Sequence, residues 1–350
     1  MTSPQPTPDI FSPEFLLRGQ DLQRLILMML KGGLGKKARD EVGETAARFV
    51  ANSAAGYGLI VDESQLSQTG QKTIAALRHA GCAYIKNMFS PAEIDEILAY
   101  LNDKPVRYFN NGHDGAAGES RALIESLPTN TRFGYYLEPD ICGYPLFYRA
   151  VHDVDLVHTV AAYLQTPPTI STVSLWWSFP SEVPTGGMQL FHHDRGDFRS
   201  CNLFVYLTDV SATSGPHAFV KHTQNFAILT EWAKARFVND PISLNNFWVW
   251  MENHRKGDKE VYSFFPQNQL EVFTGPRGTS FLEDTRGLHK GTPPEVEARL
   301  AFEIVFSTLP KYNETHTLLS RAELGSAVTG PPDSNSLDPL VRYATRLIYR

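Results

Sequence analysis

Residues 188–207 read MQLFHHDRGDFRSCNLFVYL. Two short apolar runs, Met188–His192 and Asn202–Leu207, are separated by polar residues, which is how strands read on either side of a loop. Working outward, similar runs occur at Phe133–Leu137, Thr172–Phe179, Phe281–Leu282 and Leu300–Phe306. Turn residues punctuate them: Pro184-Thr185-Gly186-Gly187, Ser214-Gly215-Pro216 and Gly275-Pro276. Many short strands so punctuated predict a mainly β sandwich or jelly roll with flanking helices, not alternating β/α units.

Upstream, Ala83-Tyr84-Ile85 reads as a strand, and Ser90-Pro91-Ala92-Glu93 as a helix start with a capping box. Ile94, Ile97, Leu98 and Leu101 then share one face. Helical spacing from Glu14 to about Leu59, broken at Gly32-Gly33 and Gly35, predicts a helical N-terminal extension over 1–70. The β domain is expected over 71–310, with a long polar loop at 103–130. An aromatic-rich, partly helical insertion is expected at 223–265, and a helical tail over 311–350 that closes with a helix from Leu337.

Composition narrows the class. Over 350 residues, 42% are apolar and 20% charged, enough for a sizeable core. The net charge of −6, with no Lys- or Arg-rich run, offers no nucleic-acid footprint. Cys82, Cys142 and Cys201 are odd in number and form no C-x-x-C pair, so they read as buried free thiols in a reducing compartment. The run Leu25–Leu30 is too short to span a membrane and the N-terminus lacks a signal-peptide pattern, so the expectation is a cytoplasmic protein without a membrane partner.

Of eleven histidines, only His192 has an Asp two positions on. In a strand, residues i and i+2 share a face, so His192 and Asp194 would project together while His193 turns away. Alone, an H-x-D of this kind is weak. After a gap of 94 residues beyond Asp194 comes His289, at a strand end or turn, and ten residues later Arg299 enters the run Leu300–Phe306. Two imidazoles and one carboxylate make the facial triad of a non-haem iron(II) site, with open positions for a chelating 2-oxo acid and O₂. A buried Arg299 needs an anionic partner, and a dicarboxylate co-substrate offers one for its planar fork. Gln189, three before His192, could reach the same co-substrate.

The segments FHHDRGDFRSCNLFVYLTDVSATSGPHAFVKHTQ and GTSFLEDTRGLHKGTPPEVEARLAFEIVF, together with Gly81–Ile85 and the helix from Ser90, resemble the phytanoyl-CoA dioxygenase-like family of Fe(II)/2-oxoglutarate enzymes over about residues 72–308. The resemblance implies a double-stranded β-helix, a cupin-like jelly roll. It implies iron on His192, Asp194 and His289, and the distal carboxylate of 2-oxoglutarate on Arg299. The implied activity is hydroxylation of a small molecule, with release of succinate and CO₂. Halogenating relatives have a small residue where Asp194 stands, so hydroxylation is favoured. Relatives often carry Ser or Thr two residues after the distal His, where this chain has Gly291, which puts Thr292 forward as a substitute. Where relatives read Pro-Gly-Ser-His, this chain has Val220-Lys221-His222-Thr223.

Competing readings are a jelly-roll metalloenzyme that does not use 2-oxoglutarate, such as an isomerase or hydrolase, and a non-catalytic binding module. The first would not need Arg299, and the second would be expected to lose a ligand. Arg195, Asp197 and Arg199 read as a surface salt-bridge cluster or as substrate contacts, and His193 as a core or supporting residue. Substrate-facing residues are expected in 103–136 and 223–265. The oligomeric state is not legible.

Overall fold

The computed structural model describes residues 35–109, 119–182, 185–253, 255–310 and 338–349. Most of the expected N-terminal extension (1–34), the loop residues His113 and Asp114, and most of the tail (311–337) lie outside the described residues.

Chain order begins with helices α1 (Lys36–Ala55) and α2 (Gln68–Ala80), strand β1 (Cys82–Ile85) and helix α3 (Pro91–Leu101). The capping box at Ser90 and Glu93 is present, with both reciprocal bonds formed. Gly81 ends α2 at φ 87°, and a Cβ there would meet Gln224 and Phe219 at under 3 Å, so only glycine fits the turn into β1.

The stretch expected to be one long loop instead contains a strand pair. Strand β2 (Val106–Phe109) is antiparallel to β3 (Glu119–Ala122) and is followed by β4 (Phe133–Tyr135). These strands are too short for their alternation to stand out from a polar background. Helices α4 (Glu138–Cys142), α5 (Pro145–Val151) and α6 (Val154–Leu164) lead to β5 (Thr169–Ser178), β6 (Phe191–His192), β7 (Ser200–Tyr206) and β8 (His217–Val220). The insertion forms α7 (Phe226–Arg236), α8 (Pro241–Glu252), the short β9 (Arg255–Lys256) and α9 (Asp258–Phe264). Strands β10 (Leu270–Phe273), β11 (Ser280–Glu283), β12 (His289–Gly291) and β13 (Arg299–Ser307) follow, then α10 (Pro339–Thr345), within the expected closing helix.

The strands form two antiparallel sheets flanked by helices, an arrangement that fits a jelly roll. The larger runs β1-β11-β7-β13-β5-β4-β2-β3 and the smaller β10-β8-β12-β6-β9. Strand alternation divides the larger sheet into two faces. Leu300, Phe302 and Ile304 of β13 join Val157, Val160 and Leu164 of α6 in the main core. Burial of each such side chain contributes on the order of 1.5–3 kcal/mol. The intervening residues Arg299, Ala301 and Glu303 face the smaller sheet. There Phe273 stacks on Phe281 at 3.8 Å between ring centroids, closing one end of the space between the sheets. The insertion aromatics, Phe247, Trp250 and Phe265 among them, form their own core against Phe191, Ala218 and Val220 of the smaller sheet. Among the described residues, no helix is long and apolar enough to cross a membrane.

Candidate metal centre

His192 on β6 and His289 on β12 are direct cross-strand partners, which puts their rings 4.3 Å apart. Asp194 Oδ1 lies 3.7 Å from His192 Nε2 and 3.9 Å from His289 Nε2, and the three ligand atoms all fall within 4.8 Å of one another. The convergence has a different local cause from strand alternation. β6 ends at His192, and Asp194 is placed because its N–H donates to the Thr285 carbonyl at 2.8 Å.

Each imidazole is oriented by a backbone carbonyl two residues before it. His192 Nδ1 donates to Leu190 O at 2.8 Å and His289 Nδ1 to Gly287 O at 3.0 Å. With Nδ1 protonated, both Nε2 lone pairs point at Asp194, which is the tautomer a metal requires. Burial, followed by the neighbouring His289, holds His192 well below the ordinary histidine range, so it is neutral at pH 7. The Asp194 side chain is 42% exposed and can turn toward an ion.

Arg299 begins β13 opposite Ser178 of β5 and is 3% exposed. Its guanidinium donates to the carbonyl of Gly215 and to Ser178 Oγ at 3.3 Å, while its Nε has no hydrogen-bond partner. No acidic side chain forms an ion pair with it among the described residues. Desolvation draws its pKa below the usual Arg value, with Tyr206 acting in the opposite sense. Gly215, at φ 73°, brings its carbonyl here because a Cβ would strike Thr292 O at 2.6 Å.

The triad and Arg299 line one cavity of about 360 Å³, together with Gln189 and Thr292. Gln189 arrives on a 3₁₀ turn, Gly187–Gln189, and is buried. At Gly291 a Cβ would lie 3.2 Å from Arg299 Nη2, so the guanidinium occupies the space a side chain there would need.

The remaining expectations divide. His193 is buried and turned elsewhere, its Nε2 accepting from Arg195 Nε at 3.2 Å, and desolvation followed by Arg39 keeps it neutral. Arg195, Asp197 and Arg199 neither line the cavity nor form a salt-bridge cluster. Arg195 donates to Glu252 O, Arg199 to Gln165, and Asp197 accepts from the N–H of Leu309. Burial raises Asp197 to about 6. Among the described residues, no insertion aromatic lines the cavity. Its aromatic wall is instead Phe133, Tyr135, Trp176 and Phe204, all from strands of the larger sheet.

Four lining residues have no assigned role in the sequence reading, Ser178, His217, Asn202 and Glu303, whereas Arg107 falls within 103–136, one of the two stretches expected to face the substrate. His217 stacks on His289 with centroids 5.7 Å apart, and its Nε2 is 3.0 Å from Glu283 Oε1. Desolvation lowers His217 to about 3 and raises Glu283 to about 8, so burial favours the neutral form of each. Period-2 spacing is the sequence signal for two of them, Glu303 four residues after Arg299 and Ser178 two after Trp176.

No family model and no curated protein sequence matches the chain. Among solved structures, similar ones include the non-haem alpha-ketoglutarate-dependent epimerase SnoN from nogalamycin biosynthesis, at 15% identity over 68% of this chain and 81% of that one, TM-score 0.43. HygX from Streptomyces hygroscopicus, with nickel and 2-oxoglutarate bound, is 18% identical over 73% and 91%, TM-score 0.43. EvdO2 from Micromonospora carbonacea var. aurantiaca, complexed with 2-oxoglutarate, is 14% identical over 69% and 91%, TM-score 0.44. Likeness of this extent defines no reaction, so the functional reading is built on the site's own residues.

Proposed function

We propose that the chain is a non-haem iron(II) oxygenase of the double-stranded β-helix type, which uses 2-oxoglutarate and O₂ to hydroxylate a small molecule. The observation that carries this reading is Arg299: a buried guanidinium without an acidic partner among the described residues, in the same cavity as two Nε2 donors and a carboxylate. An unpaired buried charge is costly, and a dicarboxylate would offset that cost. The donor set of two imidazoles and one carboxylate suits iron(II). With only three ligands, it leaves positions for the co-substrates. The sequence segments around the triad resemble those of phytanoyl-CoA dioxygenase-like enzymes, and three free, buried cysteines suit a cytoplasmic setting.

In this reading His192 and His289 offer Nε2, and Asp194 an oxygen, to the metal. Arg299 holds the distal carboxylate of 2-oxoglutarate through its planar fork, with Ser178, Thr292 and Gln189 at hand. When bound, the metal with its 2-oxo acid supplies O₂ activation. The overall balance is 2-oxoglutarate, O₂ and R–H giving succinate, CO₂ and R–OH. The aromatic wall keeps bulk water away and holds the substrate. A metalloenzyme that does not use 2-oxoglutarate leaves Arg299 unexplained.

The test is the visible charge-transfer band of an Fe(II)–2-oxoglutarate chelate, recorded anaerobically in wild type, His192→Ala and Arg299→Ala. The expected result is a band in wild type that is lost or weakened in both variants. Wild type that binds Fe(II) without showing the band would sink the assignment.

A further inference from the structure

Resting on the oxygenase reading, we infer that the substrate is a compact, ring-bearing molecule that presents hydrogen-bond donors, hydroxyl or protonated amine, to Glu303 and Asn202, and is not an alkyl chain. Glu303 follows Arg299 by four residues on the same face of β13, about 13 Å along the strand at ~3.3 Å per residue. The triad hangs from the opposite sheet, and His289 lies two residues along β12 from Gly291, which faces Arg299. A co-substrate reaching from Arg299 to the triad therefore leaves the Glu303 end of the cavity to the substrate.

That end carries two acceptors, Glu303 and Asn202, while the Arg107 guanidinium also lines the cavity. Asn202 Nδ2 donates to Glu303 Oε1 at 2.8 Å, which fixes the orientation of the amide because a carboxylate can only accept. Its other atom, Oδ1, is then an acceptor on a side chain only 2% exposed, lining the cavity and without a hydrogen-bond partner. A buried acceptor left unmade is destabilising, and a ligand donor satisfies it. Ser174, the cross-strand partner of Glu303, adds a hydroxyl. Phe133, Tyr135, Trp176 and Phe204 provide flat apolar surface for a ring. An acyl chain directed here would bury methylenes against a carboxylate and an unpaired amide oxygen. Specificity of this type comes from buried polar groups that reject ligands lacking the matching donor.

The test uses protein loaded with Ni(II) and 2-oxoglutarate, probed by ligand-observed NMR with a matched panel at millimolar concentration. Its four arms are ring compounds bearing hydroxyls, the same rings bearing amines, their deoxy or alkyl analogues, and straight-chain fatty acids. Wild type is compared with Glu303→Gln and Asn202→Leu. Binding is expected in the hydroxyl or the amine arm, and which of the two binds identifies the donor. It should weaken about tenfold or more in Asn202→Leu, where a buried partner is lost. Amine binding should also weaken in Glu303→Gln, where the negative charge is gone. Preference for the alkyl or fatty-acid arms, equal binding in wild type and both variants, or no binding in any arm overturns the inference. The Fe(II)–2-oxoglutarate band, recorded on the same proteins, should persist in both variants. Its absence from wild type marks failure of the oxygenase reading instead, and thermal melting of each variant reports whether it has folded.

Discussion

Replacing Arg299 with Met should separate binding from stability in opposite directions. The guanidinium is 3% exposed, and it donates to two neutral acceptors, the Gly215 carbonyl and Ser178 Oγ. In the protein without ligands it is a desolvated charge with no counter-ion among the described residues, and an apolar side chain of similar volume is neutral or stabilising in such a place. With 2-oxoglutarate bound, the same group would make two charge-assisted bonds of about 1.5–3 kcal/mol each. Their loss, about 3–6 kcal/mol in total, lowers 2-oxoglutarate affinity on the order of 10²–10⁴-fold. Calorimetric titration of 2-oxoglutarate into the Ni(II)-loaded protein measures the first quantity, and thermal melting of the ligand-free protein the second. The expected pair is a large loss of affinity with a melting temperature no lower than wild type. Unchanged affinity would refute the co-substrate pocket. A destabilised variant that still binds 2-oxoglutarate would show the guanidinium to be a structural element of β13.

Gly291→Ser should weaken 2-oxoglutarate binding in the same titration, although related enzymes often carry a hydroxyl there. A Cβ 3.2 Å from Arg299 Nη2 crowds the fork, and about 1 kcal/mol of overpacking is roughly fivefold. His152, between Tyr148 and Tyr349, is lowered by burial to about 4, so the folded state refuses a proton that the unfolded chain accepts. Its stabilising contribution is full above about pH 6.5 and is lost as pH falls toward 4, about 2 kcal/mol by pH 5. Urea unfolding of His152→Phe should therefore lose less stability between pH 7.5 and 5 than wild type, and equal losses would exclude the assignment. Asp284→Asn removes the buried partner of Arg286 and should cost about 3–5 kcal/mol in chemical unfolding. It should also lower Ni(II) affinity about tenfold or more, since the turn it anchors carries supports for two of the three ligands.

The elements legible in the sequence are those whose signal is local. The capping box at Ser90 needs only four residues to be seen, and the nine-residue β13 is long enough to show its alternation. The helices α4 to α6 fell in a stretch assigned no structure. Their packing against the large sheet is tertiary, as is the pairing of β2 with β3. At the site, His192, Asp194, His289 and Arg299 could be singled out by residue type, order and spacing. What placed Asp194 was not strand alternation but the Thr285 carbonyl, ninety-one residues away in the chain. Ser178 and Asn202 are ordinary strand residues until register sets one against Arg299 and aims the other, bonded to Glu303, into the cavity. Phe133 and Tyr135 of the aromatic wall fall within 103–136, one of the two stretches expected to face the substrate, while the insertion supplies none of it, because density of rings is visible in sequence and the face they occupy is not.

The turn from Asp284 to His289 ties the candidate metal centre to elements far from it. Thr285 supplies the carbonyl that holds Asp194, and Gly287 the carbonyl that orients His289. The turn is held in shape by the Asp284 side chain, which accepts from the N–H of Arg286, and by the Asp284 carbonyl, which accepts from that of Gly287. Asp284 is fully buried, and desolvation alone would raise its pKa, yet the Arg286 guanidinium and Tyr163 hydroxyl reverse this and hold it below the ordinary carboxylate value. Arg286 in turn faces Asp40 of α1, 3.7 Å away, and Tyr163 belongs to α6. Helices from the N-terminal part of the chain and from the outer layer thus meet behind one six-residue turn. Because buried charged networks fail when any one member is removed, the geometry of two ligands is tied to the docking of both helices. In the proposed reading, substitutions in α1 that touch none of the candidate ligands would then act on the metal site, which gives the N-terminal helix a chemical reason to be packed where it is.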